Sequence, residues 1–173
     1  MVSSDHSLHI LLLPFPVQGH INPLLRFGKC LAAHGGIRCT LGATRFVASS
    51  TKPGPGSSSS IHVAVFSNGY DGGGLDELDG PGVPYFEQLA SAGSETLDAL
   101  ASEAAEHGRP VHVVVYDAFL PWAQSMAWWR GAACAAFLTQ TCAMNALYAH
   151  AWVLIFCNVM NKIRKCTDTA SSS

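Results

Sequence analysis

Apolar positions fall into short continuous runs and into longer stretches with helical spacing, and the two kinds alternate along the chain. Residues 8–14 (LHILLLP) are apolar almost throughout, which fits a strand covered on both faces, as in a parallel sheet. The loop FPVQGH follows. Then comes Asn22-Pro23, a capping residue ahead of a proline suited to the first helical position. Leu24, Phe27, Gly28, Leu31 and Ala32 recur at helical spacing, and Gly35-Gly36 is a stop signal for that helix.

The same reading places further strands at 37–43, 61–67, 111–116 and 133–138. Helices are predicted from Pro84, with Phe86, Leu89, Gly93, Leu97, Leu100 and Ala104 on the apolar face, from Pro121 to about 130, and from Gln140 to about 152. Residues 52–60 (KPGPGSSSS) read as a mobile surface loop, and 68–83 as a glycine-rich one. Strands separated by helix-length connections predict an α/β, doubly wound parallel sheet of Rossmann-like type. The expected organisation is one domain over 1–152 and a tail over 153–173. The tail shows no strand or capping pattern after Met160 and ends in a small polar string, so a helix continuation and then a disordered end are expected.

Composition narrows the function classes. The 173-residue chain is 49% hydrophobic and 13% charged, with a formal net charge of −2, enough apolar material for a core and no basic surface for nucleic acid. A membrane span over 143–160 is disfavoured, because Asn145, His150 and Asn158 interrupt it. None of the six cysteines forms a C-x-x-C pair or a zinc spacing with histidine. They read as buried free thiols of a reducing compartment, and the default location is cytoplasmic. Phosphate-loop, dinucleotide and nucleophilic-serine motifs are absent. The acidic loop around Gly72-Gly73-Gly74 matches no EF-hand and reads as solvated and flexible.

Two polar residues stand where ligands bind in such a sheet, at the carboxyl ends of strands. His20 lies in the loop after the first strand, and Asp117 immediately follows the fourth. A histidine can take a hydroxyl proton near neutral pH, and a carboxylate on its other ring nitrogen fixes the tautomer. Each residue has a plainer alternative: His20 as a structural or solvent-facing side chain, Asp117 as a cap on the turn before Pro121. The other histidines show no partner signature and read as surface or incidental.

Several segments in order resemble plant family 1 UDP-dependent glycosyltransferases. HILLLPFPVQGHINPLLRFGKCLAAHG is similar to their opening, SNGYDGG to their acceptor-side loop, VVYDAFLPWA to the segment with their catalytic aspartate, and FLTQTCAMNALY to the strand and helix after it. The resemblance covers about 8–152. It implies the N-terminal half of a two-domain GT-B glycosyltransferase that moves glucose from UDP-glucose to a hydroxyl or carboxyl of a small phenolic, hormone or aromatic acid. It further implies inversion at the anomeric carbon, no metal and no cofactor beyond the donor substrate. His20 matches the general base and Asp117 its partner. Gly19 and Thr139 match donor-side positions, and Phe15, Gln18, Phe119 and Tyr148 match the acceptor pocket.

The family's long donor-gripping motif, which begins with Trp and ends near an Asp-Gln pair, is not in this sequence. The expectation is therefore a truncated member, inactive alone, that meets a UDP-sugar only where a donor domain is supplied. The alternative is a non-enzymatic acceptor-binding or inert fragment from an alternative transcript. The tail from Val153 looks foreign to the family, as a translated intron or alternative exon would.

Overall fold

The computed structural model describes residues 8–50, 61–77 and 83–151. Five strands form one parallel sheet: β1 (Leu8–Leu13), β2 (Ile37–Thr44), β3 (His62–Phe66), β4 (Val113–Asp117) and β5 (Ala133–Phe137), in the order β3-β2-β1-β4-β5. Four helices join them: α1 (Gln18–Ala32), α2 (Arg45–Ser50), α3 (Val83–Glu106) and α4 (Trp122–Trp129). The order reverses at β1, so the chain winds outward in both directions from the centre.

The apolar run of β1 is explained by its neighbours. Successive side chains on a strand point to opposite faces. Ile10 and Leu12 join Ile21 and Leu24 of α1 in one buried cluster. Leu11 and Leu13 join Leu89 and Leu97 of α3 and Met126 of α4 in the other. Close packing of α1 on the sheet depends on Gly28, because a Cβ there would stand 2.3 Å from Leu12 Cδ1 and 3.0 Å from Ile61 Cδ1.

Several elements differ from expectation. Helix α1 starts at Gln18, not at Asn22, and contains Pro23 inside it. Extended Val17 starts the helix, its carbonyl accepting from the His20 and Ile21 amides at 3.0 Å each. The earlier start brings buried Ile21 onto the same face as Leu24, which outweighs the local Asn-Pro preference. Helix α2 has no counterpart in the sequence reading.

On α3 the buried aromatic is Tyr85, 1% exposed, whereas Phe86 is 44% exposed. Among the described cysteines only Cys39 is buried. Cys30, Cys134 and Cys142 are exposed free thiols, because Cys30 sits on the solvent side of α1 and Cys134 on the exposed edge strand β5.

The chain packs as two units, Met1–Thr139 and Gln140–Ser173. In the second unit a helix runs over 142–151, entered through the Thr141 hydroxyl, which accepts from the Met144 amide at 3.3 Å. The expected loop at 52–60 and tail at 153–173 lie outside the described residues, as do Cys157 and Cys166. None of the described helices is long and apolar enough to cross a membrane.

Candidate active site

Parallel pairing sets the site. Leu13 of β1 is in register with Tyr116 of β4, so the segments leaving these two strands emerge at the same edge of the sheet. After β1 the chain turns through Phe15 to Val17 and enters α1 at once. His20 thus lies in the first turn of a helix rather than in a loop, its amide donating to the Val17 carbonyl at 3.0 Å. Asp117 is the last residue of β4 and is 1% exposed.

The His20 Nδ1–H donates to Asp117 Oδ2 at 2.7 Å. The other carboxylate oxygen, Oδ1, accepts from the Phe119 amide at 3.0 Å, and the Asp117 carbonyl accepts from the Leu120 amide at 2.8 Å. Asp117 therefore caps its turn and holds the imidazole together; the two readings of this residue are compatible. Thr139 Oγ1 stands 2.9 Å from the same Nδ1, where it shares the single ring proton. With Nδ1 engaged as donor, the free lone pair is on Nε2, the tautomer a general base requires. The His20 side chain is 12% exposed, shielded from bulk water but reachable.

Aromatic rings surround the imidazole. Phe119 lies 5.2 Å from it, centroid to centroid, and Phe15 meets it edge-on at 5.5 Å. Phe15 also stacks on Phe86 at 5.5 Å, with 15° between the planes. Phe15 itself is buried, but Phe119 and Phe86 keep open faces, 39% and 44% exposed. Phe86, read from the sequence as part of the buried helix face, instead joins this wall. Its sequence signal was adjacency to Tyr85, since neighbouring helical positions point about 100° apart and only one of the pair can face the core.

Beneath the wall is a residue that sequence reasoning missed. Asn68 is fully buried; its Nδ2 donates to the Tyr85 hydroxyl at 3.0 Å and its Oδ1 accepts from the Tyr70 amide at 3.2 Å. The Asn-Gly pair at 68–69 was the available clue, as an Asx turn starts there. Burial pushes the Tyr85 hydroxyl up to about 12. The acidic loop is anchored by Asp71, which accepts from Ser67 Oγ at 2.9 Å and from Arg45 Nη1 at 3.1 Å. In this part it is tied down rather than free.

Gln18, exposed at the start of α1, lines a cavity of about 320 Å³ together with Phe46, Gly74 and Tyr85. At Gly19 a Cβ would meet nothing within 4 Å, so the backbone faces open space. Tyr148 belongs to the second unit and is 49% exposed on helix 142–151. Among the described residues no group of three or more His, Cys, Asp or Glu side chains is set to hold a metal ion.

No family model matches the chain. Curated relatives do. A UDP-glucosyltransferase of Hordeum vulgare subsp. vulgare is 47% identical over 144 residues, 83% of this chain and 29% of that protein. UDP-glycosyltransferase 79 of Oryza sativa subsp. japonica is 48% identical over 148 residues, 84% of this chain and 31% of that protein. In structure, Os79 from O. sativa in complex with UDP superposes with a TM-score of 0.73 at 48% identity, covering 80% of this chain and 30% of that one. The same protein in complex with a trichothecene gives 0.72 at 47% identity, covering 81% and 31%. The chain spans about 30% of the length of these relatives. With its parallel sheet and flanking helices, it belongs to the plant UDP-glycosyltransferases, as a fragment matching the N-terminal domain of their GT-B fold.

Proposed function

We propose that this region is the acceptor-activating part of a transferase that moves glucose from UDP-glucose to a small hydroxyl- or carboxyl-bearing metabolite. The observation that carries the reading is the 2.7 Å contact between His20 Nδ1 and Asp117 Oδ2 beneath an open aromatic wall. His20 Nε2 takes the acceptor's hydroxyl proton. The oxygen then attacks the anomeric carbon from the face opposite the diphosphate, the carbon–oxygen bond to UDP breaks, and UDP leaves with the electron pair. Asp117 stabilises the imidazolium as it forms.

Phe15, Gln18 and Phe119 are assigned to the acceptor. Gly19 and Thr139 are assigned to the donor side, since Gly19 leaves room for a close backbone approach and the Thr139 hydroxyl keeps its own proton to donate. Support for the donor and acceptor classes comes from the UDP and trichothecene complexes of Os79. A cytoplasmic location goes with this reading, supported by four described cysteines that are all free thiols.

Orienting the electrophile is most of the catalytic task, so the 173 residues alone are expected to transfer no sugar. A second reading is a domain that binds a small acceptor without transferring sugar to it, which the open aromatic faces of Phe86 and Phe119 near His20 would also suit. One experiment separates the two. Residues 8–151 are grafted in place of the matching segment of the rice relative, and transfer from UDP-glucose to phenols and aromatic acids is measured. The transferase reading expects activity that falls about 100- to 10,000-fold in the His20→Ala chimera. Activity indifferent to His20→Ala refutes it, and product from the chain alone refutes the dependence on a donor half.

A further inference from the structure

The edge of the sheet opposite His20 carries a second concavity, of about 240 Å³. It lies between the amino ends of three strands and the last turns of α3. His9 is in register with Arg38, and Thr40 with His62. Counting by twos, the same face presents Leu11 and Ala64 further in. Leu100, Ala101 and Ala104 of α3 form the other wall, and Arg109 stands at the rim. The cavity is thus apolar in its depth and cationic at its mouth.

The polar groups inside are already arranged. His9 is 7% exposed, its Nδ1–H donating to the Arg109 carbonyl at 3.0 Å and its Nε2 accepting from Thr40 Oγ1 at 2.8 Å. This pins the Arg109 segment against the opening. The closing carbonyls of α3 are satisfied locally: Glu103 by the His107 amide at 3.2 Å, Ala104 by the Arg109 amide at 2.9 Å and Ala105 by the Gly108 amide at 2.9 Å. The helix end therefore makes no demand on the guanidiniums. Among the described residues neither Arg38 nor Arg109 has a carboxylate within ion-pair distance. Two guanidinium charges against the single lining carboxylate, Glu103, leave a balance of +1 with neutral histidines.

We propose that this cavity binds a small organic monocarboxylate, its apolar body against α3 and its carboxylate between Arg38 and Arg109. The volume sets the size: pockets for drug-sized ligands measure about 300–1,000 Å³, and this one falls below that range, so one ring fits and a nucleotide does not. The charge balance sets the class, favouring a monoanion over a phosphate dianion. The planar fork of arginine matches a carboxylate. The site lies at the other edge of the sheet from the His20–Asp117 pair and does not depend on the transferase reading.

Benzoate is the probe, titrated into the ¹⁵N-labelled 173-residue chain and followed by amide shifts. Saturable shifts are expected at His62, Ala101, His107 and Arg109. Affinity is expected to fall at least about tenfold in Arg38→Gln/Arg109→Gln, the loss of roughly one charge-assisted hydrogen bond. Ala104→Phe, which fills the cavity and keeps both guanidiniums, is expected to abolish the shifts while the rest of the spectrum is retained. Benzyl alcohol and inorganic phosphate are expected to bind more weakly than benzoate. Shifts confined to His20 and Phe119, undiminished binding in both variants, or phosphate binding more tightly than benzoate would each overturn the proposal.

Discussion

His20 Nδ1 and Asp117 Oδ2 stand 2.7 Å apart across a sequence separation of 97 residues. Two different devices bring them there. A helix that starts four residues ahead of its proline-marked signal aims the imidazole, and a strand end that doubles as a turn cap aims the carboxylate. The carboxylate keeps the ring proton on Nδ1 because that is where it can accept it.

Replacing Asp117 by Asn removes that preference. An amide can donate to Nδ1 as readily as it accepts from it, so the Nε2–H tautomer of His20 is expected to become populated. Long-range ¹H–¹⁵N spectra of the ring read the change directly. An unaltered tautomer in Asp117→Asn would show that Thr139, on the same nitrogen, suffices to hold it.

Asn68 supports the aromatic wall from below, and Asn68→Leu is expected to cost about 1–3 kcal/mol, because it strands the buried Tyr85 hydroxyl and the Tyr70 amide. Denaturant unfolding measures the loss. Tyr85 also sets an alkaline limit. Its folded value is raised to about 12 from an ordinary 10, so between those values the unfolded chain sheds a proton that the native state keeps. Stability is expected to fall as pH rises through that window, and less steeply in Tyr85→Phe.

At the other edge of the sheet, burial, with help from the nearby Arg38 charge, lowers the His9 value below 6.5, partly opposed by its hydrogen bond to the Arg109 carbonyl. A lowered histidine stays neutral in the native state while the unfolded chain takes up a proton. Stability contributed by neutral His9 is complete above pH 6.5 and is lost as pH falls from there toward the native value. Urea midpoints at pH 7.5 and 5.5 test this, and His9→Gln is expected to narrow the gap between them.

Gly28→Val is expected to destabilise the fold by about 1–3 kcal/mol through overpacking. Valine would drive methyl groups into Leu12, which is fully buried, and helix propensity, worth less than about 1 kcal/mol relative to glycine, cannot offset that. Thermal unfolding of the variant is the measurement. A Gly28→Val protein as stable as the parent would mean that α1 rides outward at little cost.

The sequence conveyed those features that depend on periodicity. All five strands, the doubly wound parallel class and the placement of His20 and Asp117 at one sheet edge follow from short apolar runs that alternate with stretches of helical spacing. Features decided by a contact between distant segments were hidden. The start of α1 depends on Ile21 finding the core, and Tyr85 rather than Phe86 turns inward because Asn68 waits for its hydroxyl. His9 looked incidental because Thr40, Arg109 and His112 approach it only once the sheet has formed. The cysteines misled in the opposite direction, since an apolar neighbourhood in sequence is not burial on an edge strand.

The central position of β1 has a consequence during synthesis. Of the five described strands it is the first to leave the ribosome, and β2 reaches it early, but its other neighbour, β4, aligns Val113 with Ile10, about a hundred residues later. At roughly 5–20 residues per second, one flank of the most apolar strand waits about 5–20 s for its partner. Nascent chains halted before Val113 should therefore be the ones that chaperones hold longest.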